Sequence, residues 1–130
     1  LQTASGAAKT DLAVDRESII MDFMIQSLDA RQAHERIARG ELAIIDVREP
    51  REWSSGHLPG ARLVPLDRIK ASPSSELSGV PGEGVLFVCA VGVRSQTAAK
   101  LAEATGRTNL YNLSGGTRGW VSAGLPLVHD

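Results

Sequence analysis

The chain has 130 residues, 42% hydrophobic and 22% charged, the composition of one globular domain long enough to bury a core without disulfide or metal staples. Fourteen Lys and Arg stand against fifteen Asp and Glu, a net charge of −1, which excludes the basic footprint of a nucleic-acid or anionic-membrane binder. The single cysteine, Cys89, excludes an internal disulfide, and His34, His57 and His129 without a Cys-x-x-Cys pair argue against a metal site.

Residues 1–22 are rich in Ala, Thr, Ser and Asp with little periodicity, and read as a flexible arm or a partial helix. No apolar run has the length of a membrane span, and no basic start with an apolar core opens the chain. A soluble, cytoplasmic domain over residues 23–130 is therefore expected, with a removed leader left open because the chain begins at Leu1. The apolar run 24–28 leads into Asp29, whose spacing to Gln32 predicts a capping box and a helix. Ala30, Ala33, Ile37 and Ala38 would form its buried face, Arg31, Gln32, Glu35, Arg36 and Arg39 its wet one, and Gly40 its stop.

Residues 42–47 are apolar and too short for a buried helix, the pattern of a central parallel strand that carries Asp46 and Arg48 at its end. A short helix over 49–55, a turn at 56–60 and a strand over 62–65 follow. Residues 70–84, rich in Gly, Pro and Ser, read as a surface loop. The strongest strand signal is 85–89, apolar, β-branched and aromatic, ending on Cys89. A helix after residue 95, a strand over 109–113 and a short helix bearing Trp120 complete an alternation that predicts an α/β, three-layer sandwich around a mostly parallel five-stranded sheet.

Ligands in such folds gather at the carboxyl ends of strands, which is where Cys89 falls. The segment Ala90, Val91, Gly92, Val93, Arg94, Ser95 holds a glycine and opens a helix, so its N–H groups can curl into an anion-binding nest above the sulfur. A free cysteine near pKa 8.5 is only a few per cent ionised at neutral pH, and lowering it by about two units takes roughly 2.7 kcal/mol. A helix dipole supplies up to ~2 kcal/mol and each charge-assisted N–H bond ~1.5 to 3, enough together. The competing reading is an inert thiol packed at a strand end. A cation in a first helical turn is unfavourable for the dipole, so Arg94 calls for an anionic partner, which an anionic substrate would provide.

Three motifs now stand in order: Asp46-Val47-Arg48 through Glu52 with 56–61, Cys89 to Ser95, and Leu113-Ser114-Gly115-Gly116 with Trp120, Gly124, Leu125 and Pro126. Together they resemble the rhodanese-like domains over residues 24–128. The resemblance implies a sulfurtransferase in which Cys89 takes the sulfane sulfur of a small anionic donor, thiosulfate or a persulfide, and passes it on. It also implies that the loop amides of Ala90 to Ser95 steady the thiolate and the persulfide while Arg94 holds the donor's negative end. Without a second cysteine, the acceptor must be external: a thiol, cyanide or a partner protein's cysteine. Many thiosulfate-using members carry a basic residue after the cysteine, where this chain has Ala90. The apolar mouth of Ala90, Val91 and Val93 suits a protein-borne persulfide or a larger organic donor.

Two rival classes stay on the table. Related phosphatases and arsenate reductases place five residues between cysteine and arginine, whereas four intervene here, a cradle sized for one sulfur atom. A noncatalytic or redox-sensing interaction module is the other. Asp46, Arg48, Glu52 and His57 read as structural support that ties loops together, because a carboxylate beside a thiolate opposes its ionisation. Trp53 and Trp120 read as packing residues. The Asn112-Leu113-Ser114 triplet fits a glycosylation acceptor by chance only. The absence of a Walker loop and of a complete GxGxxG gives no support for a nucleotide cofactor.

Overall fold

Four consecutive apolar residues, Val85–Val88, form the middle strand of a five-stranded sheet, and they are apolar throughout because helices cover them on both faces. The structure, a computed structural model, describes residues 25–129. The expectation for residues 1–22 lies outside the described residues. In chain order the elements are β1 (Gln26–Leu28), α1 (Ala30–Ala38), β2 (Ala43–Asp46), α2 (Pro50–Ser54), β3 (Arg62–Leu63) and α3 (Leu66–Ala71). Then come α4 (Pro73–Glu76), β4 (Val85–Val88), α5 (Val93–Ala104), β5 (Leu110–Leu113) and α6 (Gly116–Ser122). The strand order is β1-β5-β4-β2-β3, with every neighbouring pair parallel, as the three-layer α/β expectation requires.

Strand alternation divides the core in two. Ile45, Val85, Phe87 and Leu110 point to the layer of α3 and α5, where Leu66, Ile69, Ala98, Ala99 and Ala102 meet them. Ile44, Leu86, Val88, Tyr111 and Leu113 point the other way, against Ala30 and Ala33 of α1 and Trp120 of α6. The α1 cap forms as its spacing predicts, with the Gln32 N–H donating to Asp29 Oδ1 at 2.8 Å and the Asp29 N–H to Gln32 Oε1 at 2.9 Å.

Three expectations need correction. Ala38 is exposed, and Arg36, assigned to the wet face, lies half-buried with its guanidinium over the Tyr111 ring at 4.4 Å. A long amphipathic stem covers apolar surface better than a methyl group does. The strand over 62–65 is two residues long, and Pro65 is the cap of α3 instead. The segment 70–84 is only partly loop: α3 runs into it and α4 lies inside it, with Ile69, Leu77 and Val80 buried. Its Pro and Ser content hides this, because Pro73 stands at a helix start, where a missing N–H costs nothing.

Candidate functional site

Parallel pairing puts the carboxyl ends of β2, β4 and β5 on one edge, and the chain leaves each through a loop that touches its neighbours. After β4, Cys89 and Ala90 turn their carbonyls toward the first turn of α6. The Thr117 N–H donates to the Cys89 carbonyl at 2.9 Å and the Arg118 N–H to that of Ala90 at 3.1 Å. The approach is close enough to demand glycine. Gly116 has φ +60°, and a Cβ there would sit 2.4 Å from the Ala90 carbonyl and the Cys89 oxygen. Gly92, with φ +102°, then reverses the chain at the head of α5, where a Cβ would come within 3.3 Å of the Leu113 oxygen.

With both carbonyls so occupied, the loop presents donors to the sulfur. The Gly92 N–H donates to Cys89 Sγ at 3.1 Å and the Ser95 hydroxyl lies 3.3 Å from it. Burial pushes the Cys89 thiol up, while the Ser95 hydroxyl and the N–H groups of Ser95, Val91 and Gly92 pull it down; the net displacement is downward. The cradle is therefore narrower than the Ala90 to Ser95 expectation, resting on those three amides and one hydroxyl. Cys89 itself has no exposed surface, Ser95 is equally buried, and Val91 and Val93 stand exposed on the rim.

Arg94 finds its anion inside the protein. Its two terminal nitrogens donate to the Glu52 carboxylate of α2 at 2.8 and 2.9 Å, where a substrate anion is expected from sequence. The Arg94 guanidinium holds the Glu52 carboxyl down at about 2, and Glu52 in turn raises Arg94. The same carboxylate accepts the Glu49 N–H at 3.0 Å, so one side chain closes the start of α2 and anchors the start of α5. Glu52 thus ties two elements together, and the partner missed for Arg94 is 42 residues away in sequence.

The other support residues lie beside this pair. Asp46 is wholly buried at the end of β2 and accepts two-pronged donation from Arg48, whose Nη2 also donates to the Gly56 carbonyl at 2.8 Å. His57 is buried, stacks on Trp53 with ring centroids 3.5 Å apart, and pairs its backbone with Val128 in an antiparallel bridge. Both residues order the turn after α2, Asp46 through Arg48 and His57 through its ring and backbone.

Asn112 is the site residue that sequence reasoning missed. It is buried on β5, its Nδ2 donates to the Gly92 carbonyl at 3.0 Å and its Oδ1 accepts from Ser95. A polar amide amid Leu-Tyr-Asn-Leu needs buried partners, and that was the available signal. The glycosylation triplet is thereby closed to modification in the folded protein. An open groove of about 470 Å³ lies between α6 and the turn after α2, lined among others by Arg48, Gly56, Thr117, Arg118 and Val121. Among the described residues no group of three or more His, Cys, Asp or Glu could hold a metal, and no helix is long and apolar enough to cross a membrane.

The model of the rhodanese-like domain family matches residues 29–123. The Bacillus subtilis (strain 168) protein YqhL, described as uncharacterized, is 40% identical over 77 residues, and the match spans 59% of each chain. A sulfurtransferase of Allochromatium vinosum is 30% identical over 107 residues, 81% of this chain and 96% of that one. A solved structure from Rhodopseudomonas palustris, described as a protein of unknown function and possible tyrosine phosphatase, is similar at TM-score 0.71 and 27% identity over 98% of each chain. With three motifs in order, the sheet they imply and a matching family model, this chain belongs to the rhodanese-like domain family.

Proposed function

We propose that the protein is a sulfurtransferase that works through a persulfide on Cys89. The observation that carries this reading is the sulfur's own environment: amide and hydroxyl donors converge on Sγ and lower its pKa against the cost of burial. Cys89 thiolate would attack the outer sulfur of a donor. A new S–S bond forms at Cys89, and the donor's S–S bond breaks, with sulfite leaving from thiosulfate or a thiolate from a persulfide. An external thiol, cyanide or protein cysteine then attacks the outer sulfur and releases the Cys89 thiolate. The apolar rim of Val91 and Val93 and the groove beside Arg118 fit an organic or protein-borne donor better than a bare anion.

Arg94 contributes to donor binding only with what Glu52 leaves it. A guanidinium has five N–H donors, two of which Glu52 takes, and the carboxylate offsets most of its charge. One observation favours a noncatalytic module: Cys89 has no exposed surface, so the rim must open before any donor reaches the sulfur. The deciding experiment is intact-mass measurement of the reduced protein after incubation with thiosulfate and, separately, with a low-molecular-weight persulfide. A gain of about 32 Da that disappears in Cys89→Ser is expected. An unchanged mass with every donor would sink the sulfurtransferase reading, and turnover of an aryl phosphate would install the phosphatase in its place.

A further inference from the structure

We propose that Ser95 and Asn112 form a hydroxyl-proton switch on Cys89, with Asn112 a positioning residue that acts through Ser95 to oppose ionisation of the unloaded sulfur. The proposal deepens the sulfur-transfer reading and rests on it only for Cys89 being the nucleophile. Ser95 Oγ lies 3.3 Å from Cys89 Sγ and 2.5 Å from Asn112 Oδ1. A hydroxyl carries one proton, so it serves one of these acceptors at a time. The amide cannot turn over to relieve the conflict. Its Nδ2 donates to the Gly92 carbonyl at 3.0 Å, and a flipped amide would set oxygen against oxygen there.

Two states follow. With Cys89 as a thiol, Ser95 donates to Asn112 and its lone pair is free to accept the S–H. With Cys89 as a thiolate, the Ser95 proton turns to the sulfur and leaves Oδ1 of a 6%-exposed residue without that donor. Once an outer sulfur is attached, the negative charge moves out to it, Sγ no longer competes, and Ser95 returns to Asn112. The switch therefore favours the loaded cysteine over the bare thiolate. Asn112 acts in the opposite sense through its other end, because it holds Gly92, whose N–H donates to the sulfur. The charged groups around the cradle are the Arg94–Glu52 pair from α5 and α2, the Asp46–Arg48 pair at the end of β2, and Arg118 on α6. All are left intact by the variants below.

The test is a double-mutant cycle read as the pH profile of Cys89 alkylation by iodoacetamide, without any sulfur donor. Asn112→Leu is introduced in the wild-type chain and in Ser95→Ala. The part acting through Gly92 is common to both backgrounds and cancels. The expected result is that the acid ionisation constant of Cys89 in Asn112→Leu, relative to its own parent, is about fivefold larger when Ser95 is present than when it is Ala. Equal changes in the two backgrounds, or a larger constant in the Ala background, would overturn the switch. Should Asn112→Leu not fold, the Asn112 side-chain carbonyl ¹³C signal is followed by NMR in the wild-type chain. It must titrate with the Cys89 midpoint there and lose that response in Ser95→Ala; a response that survives in Ser95→Ala would overturn the switch equally. Neither measurement involves sulfur transfer, so a chain that never gains sulfur can still pass, and one that transfers sulfur can still fail.

Discussion

Glu52 and Arg94 decide what the cysteine loop can do with charge. Their ion pair is about one third exposed, so solvent screens it, and its worth is about 1 kcal/mol or less. The Glu52 carboxyl sits at about 2 in the folded protein, below the ordinary value of about 4.3, so the unfolded chain binds that proton more readily. Its stabilisation is complete above the unfolded value and is lost as pH falls toward the folded one. Glu52→Gln is accordingly expected to be less stable than wild type by about 1 kcal/mol near neutral pH, with the gap closing between about pH 4 and pH 2. Urea unfolding at a series of pH values checks this, and a gap that stays constant to pH 2 contradicts it. At this scale the sequence was legible where the site is contiguous. Cys89, Gly92 and Ser95 stand within one loop, and all three meet at the sulfur. The Glu52 partner of Arg94 is not legible because its carboxylate arrives from α2, and Asn112 is missed because β5 reaches the loop only through sheet pairing.

The α6 element has a task that its seven residues do not advertise. Its first turn is the backstop for the cysteine loop, through two N–H donations to carbonyls and the close approach of Gly116. Gly116→Ala combines left-handed strain with overlap of backbone atoms that cannot move cheaply, a cost of about 2 to 5 kcal/mol. Gly124→Ala is the matched control, since Gly124 also has positive φ, +83°, but an added Cβ meets no atom within 4 Å. That substitution is expected to cost only the strain, about 1 to 2 kcal/mol. Denaturation midpoints measure both, and equal losses would mean that the α6 contact with Cys89 and Ala90 is dispensable. Element recognition from sequence fails in one place for a related reason. Leu77 and Val80 are buried only within the cluster that the sheet and α5 complete, so the segment 70–84 with α4 inside it is read from composition as loop until those packing partners are known.

Across the whole molecule, an all-parallel sheet brings the ends of β2, β4 and β5 to one edge, which is why Asp46, Cys89 and the α6 backstop come together from three distant stretches of chain. These 130 residues supply one thiol, since they hold a single cysteine. A persulfide on Cys89 therefore has no partner cysteine within these residues with which to resolve into a disulfide. The loaded protein is expected to keep its added mass once free donor is removed and no acceptor is supplied. Added cyanide attacks the outer sulfur, the S–S bond breaks, thiocyanate leaves, and the Cys89 thiolate is regenerated with a loss of about 32 Da. Stoichiometric thiocyanate and one titratable thiol per chain are the readouts. Mass that cyanide cannot remove would mean that the sulfur had been added in some other form, and sulfur lost without an acceptor would mean that this fold does not shield the persulfide.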